Sequence, residues 1–304
     1  MSLISKDNAN RLKKEVLGVI DPRGAKLSGT LYHQFNELHS VPYTEDKDIE
    51  LLLVKQKMLE IDLMDKDLDL PENMIRFSPS GASKCERELF YRALKSEKDA
   101  RIMFPYQKRW TRNSTAVHEA VQRDILYMGK VLPDPKLTIS KTKDGLPAWE
   151  GNIKAWKEIE HKGEKFILLG MMDGILDYHP ENIKIGFEFK TKSTTIAQVG
   201  TYKMKGAQDS HKIQCVAYSI LFDLDEFIIM YESVAKDNWM ENENAKPDIR
   251  TFYHKVTDED RMMLLDKFAE VTKMVRNEQI PEGDKSKCIF CEYKSVCRSM
   301  GDVA

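Results

Sequence analysis

The chain has 304 residues, 41% apolar and 32% charged, with 47 basic against 49 acidic side chains for a net charge of −2. That length supports one large or two ordinary domains, and the composition excludes both an intrinsically disordered chain and a membrane-spanning bundle. The near-neutral balance gives no overall electrostatic preference for nucleic acid, so a binding surface must gather its positive charge locally. No apolar run approaches the ~18 residues needed to cross a bilayer, and the N-terminus lacks an apolar stretch followed by small residues. The expected compartment is therefore the cytoplasm, with no membrane partner.

Residues 1 to 70 read as mostly helical. Short helical patterns run over Asn10–Ile20 and Leu31–Leu38 with Pro22–Gly24 as a break between them, and Ile49–Leu63 suits a longer helix. Asp65, Asp67 and Asp69 imitate the start of a calcium loop, but Leu70 stands where glycine is required and Arg76 where a bidentate glutamate is required, so a solvated boundary is the expectation. This divides the chain into a helical extension over 1–75 and a second domain over 76–304.

The second domain opens on serines that suit helix caps, followed by Cys85 and a short helix carrying Leu89, Phe90 and Leu94. Arg101, Lys108, Arg109 and Arg112 are then interleaved with Phe104, Tyr106 and Trp110. Cations pair with phosphate and aromatics stack on bases, so Arg109, Trp110 and Arg112 are candidate nucleic-acid contacts, although an exposed helix edge has the same composition. Asn113–Met128 is a helix, with Val117, Val121, Ile125 and Met128 as its buried stripe and His118 and Gln122 beside it. A lone histidine there is more often a structural residue than a ligand. Residues 130–165 read as loop with short strands. Phe166–Leu169, Gly174–Tyr178 and Ile183–Phe189 read as a three-stranded meander.

In the last of these, Ile185, Phe187 and Phe189 alternate with Gly186, Glu188 and Lys190, so the apolar set faces the core and Glu188 and Lys190 share the opposite face. Ser210–Leu224 is a helix that places Gln214 and Tyr218 four residues apart on one side and Cys215 beside its apolar stripe, as a small buried hydrophobe. Strands over Glu226–Val234 and Arg250–His254 and a helix over Asp258–Arg276 follow, and the chain closes on Cys288, Cys291 and Cys297.

Phosphodiester hydrolysis needs hydroxide near neutral pH and stabilisation of charge building on phosphorus, both of which carboxylate-held Mg²⁺ or Mn²⁺ can provide. Hard cations take oxygen ligands, so Asp173 and Glu188 are candidate ligands with the backbone carbonyl of Phe189, and Lys190 is a fixed cation or water-positioning group. Asp-x14-Glu-x-Lys is a weak pattern alone; its placement at strand ends, followed by a helix bearing Gln and Tyr, raises it.

In these residues the sequence resembles the RecB-like branch of the PD-(D/E)xK nuclease superfamily. The resemblance runs from Phe77 to Cys297 and covers His118 as an additional metal ligand, Asp173 as the motif aspartate, Glu188 and Lys190 as the (D/E)xK element, and Gln214 with Tyr218 as the Gln-x3-Tyr motif that contacts nucleic acid beside the site. One departure is the turn before the histidine, which reads Asn113-Ser-Thr-Ala without glycine. The cysteines are similar to those of the iron–sulfur group of this superfamily, which includes CRISPR-associated exonucleases and the AddB nuclease domain; the family is also carried by phages. The resemblance implies an α/β fold with a central mixed sheet flanked by helices. It also implies Cys85, Cys288, Cys291 and Cys297 as ligands of a structural [4Fe–4S] cluster that staples the domain's two ends. Zinc is the alternative, though a single Cys-x2-Cys knuckle fits it less well. The implied activity is that of a Mg²⁺- or Mn²⁺-dependent DNA exonuclease on single-stranded ends, in recombination or end processing, with helicase or recombination proteins or further copies of the chain as partners. A non-catalytic DNA-binding subunit of the same fold is the rival expectation.

Overall fold

In a computed structural model, residues 21–42, 45–63 and 68–299 are described. The expected helix over Asn10–Ile20, and Asp65 and Asp67, lie outside them. The fold is mixed α/β. Helices α1 (Pro22–Ser40) and α2 (Lys47–Leu63) precede strand β1 (Ile75–Phe77) and α3 (Glu86–Ala93), and α4 (Pro105–Val131) is the longest element. Strands β2 (Leu137–Ile139), β3 (Ala155–His161), β4 (Glu164–Gly170), β5 (Gly174–Tyr178) and β6 (Ile183–Lys192) lead into α5 (Asp209–Phe222). Then come β7 (Glu226–Ser233), β8 (Ile249–Lys255), α6 (Asp258–Arg276) and a short α7 (Lys294–Ser299).

Two sheets form. Five strands run in the order β2-β5-β6-β7-β8, and three in the order β1-β4-β3. Within the larger sheet β6 and β7 are parallel, joined by the α5 crossover, while the other neighbours are antiparallel. The expected meander of β4, β5 and β6 is thus corrected. β4 pairs with β1 and β3, and the chain changes sheets between Gly170 and Gly174, delivering Asp173 to the start of β5. The change is tight: a β-carbon on Gly170 would stand 2.6 Å from the Pro79 ring. Local alternation cannot reveal such a switch, because both strands keep the same period.

The larger sheet is buried on both faces. Leu27, Leu31 and Phe35 of α1 and Val121, Ile125 and Met128 of α4 cover Ile185, Phe187, Phe189, Ile228 and Met230. Cys215 and Tyr218 of α5, Phe268 of α6 and the β1–β4 strands cover Phe227, Ile229 and Tyr231 on the other side. Each large side chain so buried is worth about 1.5–3 kcal/mol in transfer terms. The parity read from β6 holds, but the face bearing Glu188 is not solvent: Glu188 is 0% exposed.

Three further expectations change. Pro22 does not break a helix; it occupies the first turn of α1 behind an Asp21 cap that accepts from the Arg23 amide at 3.0 Å, the position where a proline's missing amide costs nothing. The helix expected from Asn113 begins at Pro105, so Arg109, Trp110 and Arg112 lie on α4 itself. Cys85, rather than a serine, caps α3, its sulfur accepting from the Glu88 amide at 3.3 Å. Cys215 is fully buried within the core, as its place beside the stripe implied.

Candidate active site

Asp173 stands where the chain enters β5, and its Oδ2 accepts a 2.7 Å hydrogen bond from the Phe189 amide on β6. This bond holds one carboxylate against the neighbouring strand and leaves the other oxygen available. His118, from the middle of α4, packs edge-on against the Phe189 ring with 4.7 Å between centroids, and the Phe189 backbone is hydrogen-bonded to its imidazole. Burial, opposed by Asp173, lowers the His118 pKa, so the imidazole is neutral near pH 7, the form that binds metals.

The third member was not anticipated. Glu150 follows Trp149 at φ 41°, in the left-handed region that a β-carbon disfavours, and its amide donates to the Met172 carbonyl at 2.7 Å. That bond sets Glu150 next to the start of β5. Ligand atoms of His118, Glu150 and Asp173 all fall within 4.8 Å of one another, the one such set of three or more among the described residues. Burial first, then Asp173 and Glu60, push the Glu150 pKa up, and Gln122 partly offsets this. Crowded carboxylates beside a neutral imidazole are what a divalent cation would relieve, and the oxygen-rich donor set suits Mg²⁺ or Mn²⁺.

Glu188 lies on β6, one strand from Asp173, and is fully buried, whereas Lys190 is partly exposed. The Lys190 ammonium is ion-paired with Glu188. Gln214 donates to the Tyr218 hydroxyl at 2.7 Å, and that hydroxyl in turn lies toward Glu188. The buried carboxylate thus has the Lys190 ammonium on one oxygen and the Tyr218 hydroxyl nearby. Burial and Asp173 raise its pKa to about 8, against the opposing pull of Lys190. The carboxylates raise the Lys190 pKa despite its burial, so the ammonium stays charged. A buried carboxylate is costly unless it is paired, and Lys190 offsets part of that cost here. Gln214 and Tyr218 therefore stand behind Glu188, with Tyr218 only 3% exposed.

A cavity of about 810 Å³ is lined by Trp110, Ser114, His118, Glu150, Lys192 and Gln198, among others. Ser114 on α4 and Thr191 on β6 are joined by a 2.9 Å hydrogen bond. Trp110 faces this space; Arg109 and Arg112 are exposed on the same helix but do not line it.

Cys85, Cys288, Cys291 and Cys297 are free thiols whose charges act on one another: Cys85 and Cys297 raise the Cys291 pKa, and Cys85 and Cys288 raise that of Cys297. The largest cause in both is burial, which pushes Cys291 to about 11. The segment bearing the last three is tied to the loop after α3, where Asp99 accepts from the Lys294 amide at 2.8 Å. A ligating metal would displace these protons.

No family model and no curated protein matches the chain. Among solved structures, one described as the crystal structure of SSO0001 aligns over 86% of this chain and 100% of its own, with 14% identity and a TM-score of 0.42, too low to carry an argument. Among the described residues no helix is long and apolar enough to cross a membrane.

Proposed function

We propose that the chain is a Mg²⁺- or Mn²⁺-dependent deoxyribonuclease, an exonuclease on single-stranded DNA ends, with a PD-(D/E)xK-like core. The observation that carries this reading is the convergence of His118, Glu150 and Asp173 beside the buried Glu188 and its ion-pair partner Lys190. His118, Glu150 and Asp173 would hold the cation, with Glu188 and the Phe189 carbonyl adjoining. When bound, the metal supplies Lewis acidity and a water of lowered pKa. Lys190, kept charged by its carboxylate neighbours, offsets negative charge developing on the phosphate. Glu188, buried beside Lys190 and one strand from Asp173, would add a further carboxylate oxygen to the cation's surroundings. Tyr218, itself fixed by Gln214, backs Glu188, and Trp110 and Lys192 offer a stacking surface and a cation to the incoming strand.

Cys85, Cys288, Cys291 and Cys297 are the residues that would hold a [4Fe–4S] cluster. Four zinc–sulfur bonds of about 2.3 Å draw thiolates closely together, whereas a cubane spreads them over four irons. The single Cys-x2-Cys knuckle, Cys288 and Cys291, suits the cluster better than zinc.

The test is degradation of end-labelled single-stranded DNA. Cleavage requiring Mg²⁺ or Mn²⁺ and lost in Asp173→Asn and Lys190→Met supports the proposal. Cleavage that survives both substitutions ends the site assignment, and DNA binding without cleavage supports the non-catalytic subunit instead.

A further inference from the structure

A second cavity, of about 430 Å³, adjoins the first, and His118, Thr115 and Glu150 line both. Its remaining sides come from α2 and α4. The α2 side is a fixed wall rather than a lid. Trp149, fully buried next to Glu150, donates its indole N–H to Gln56 Oε1 at 2.8 Å. Further along, Arg123 of α4 meets Glu50 at 3.1 Å and the Tyr127 hydroxyl accepts from the Asp46 amide at 2.6 Å.

The lining suits one nucleotide. Leu53 offers an apolar side for a base. The amide of Gln122, on a residue only 8% exposed, lines the cavity beside Glu150 and supplies a polar donor there. Lys57 and Arg123 stand in the lining, each paired only with a partly exposed glutamate. Such pairs contribute about 0–1 kcal/mol, so a phosphate can replace the glutamate at little cost. The volume falls within the roughly 300–1,000 Å³ of small-ligand pockets. Glu60 and Glu119 line the same space, and their charge disfavours a polyanion continuing beyond the first nucleotide.

We infer that the α2–α4 cavity seats the terminal nucleotide of the strand, so that α2 restricts the site to DNA with a free end. This rests on the nuclease reading. The strand approaches over Trp110, its scissile phosphate meets the His118–Glu150–Asp173 set, and the last nucleotide occupies the space against Leu53 and Gln122.

Two measurements on the full chain test it. The first is free of catalysis: calorimetric titration with a deoxynucleoside 5′-monophosphate in Ca²⁺. Leu53→Trp, which fills the cavity from a half-exposed position, and Gln122→Leu, which removes the donor, should each weaken binding about tenfold. Unchanged binding in both variants, or none to the wild-type chain, overturns the inference. The second compares linear with covalently closed circular single-stranded DNA in Mg²⁺ and in Mn²⁺. Linear strands should be degraded and circles spared, with Leu53→Trp slowing the linear reaction about tenfold. Circles cut as fast as linear strands overturn the inference while leaving the nuclease reading standing. Cleavage of neither defeats the nuclease reading, and the inference resting on it, whatever the calorimetry shows.

Discussion

Two clusters of side chains of the kinds that ligate metals occupy this molecule, and they are built differently. His118, Glu150 and Asp173 come from a 27-residue helix, a strained turn and a strand start, all anchored on a sheet buried on both faces. Their side-chain oxygen and nitrogen atoms converge within 4.8 Å of one another. The cysteines come from a helix cap, a 3₁₀ turn over Lys285–Phe290 and the six-residue α7. The first cluster thus rests on long elements of the core, the second on short segments near one end of the described chain. Metal should therefore contribute function at one and folding energy at the other.

Predictions that would break or sharpen this contrast run from large effects to small. Asp173→Asn keeps an oxygen for the Phe189 amide but removes a ligand charge; metal-dependent cleavage should fall by about 10³-fold with the melting temperature unchanged. A melting temperature that falls with it would show that the first cluster also carries stability. Cys291→Ser should do the opposite, bleaching the visible absorption of the protein and costing on the order of 3 kcal/mol in denaturant unfolding. Gly186→Ala acts on the scaffold itself, since the new β-carbon would stand 2.2 Å from the Phe227 ring; the overpacking should destabilise by about 1–3 kcal/mol. Glu150→Gln should weaken Mn²⁺ binding about tenfold in a metal titration, with no loss of colour from the cysteine end.

Acid provides the mildest probe. Glu226 on β7 accepts from Arg23 Nη2 at 2.7 Å and from the Tyr253 hydroxyl, fastening α1 to the sheet. Hydrogen bonds from Arg23 hold its pKa below the ordinary 4.5, with burial opposing. A depressed carboxyl stabilises fully above the unfolded value and loses that contribution as pH falls through the folded one. Below about pH 4.5 the wild-type chain should therefore lose on the order of 1 kcal/mol, after allowance for solvent screening, and Glu226→Gln should remove that part of the pH dependence. Hydrogen exchange in α1 would report it.

Much of this was legible in the sequence because it is periodic. The helices over 209–222 and 258–276 and the strands β6 to β8 follow from spacing alone, and Asp173, Glu188 and Lys190 sit at ends that alternation can locate. Glu150 was not legible. A single glutamate after a tryptophan has no period, and it reaches Asp173 only through a backbone bond to Met172 across a change of sheet. The burial of Glu188 was hidden for a related reason: alternation assigns opposite faces but does not say that α5 covers the second one. Tyr218 likewise shares a helix side with Gln214 in sequence, yet its place behind Glu188 depends on how that helix lies on β6.

Helix α4 carries Trp110 near its start, His118 at its middle, Gln122 and Arg123 a turn later, and Tyr127 with Lys130 near its end. At about 1.5 Å per residue it is a rod some 40 Å long, and each residue turns its successors by roughly 100°. Inserting or deleting one residue between Trp110 and His118 would swing the aromatic away from the imidazole, or shift every partner beyond it out of phase with α2 and the sheet. The interval from 110 to 130 thus behaves as a fixed gauge, tolerant of changed side chains on its exposed side and intolerant of changed length.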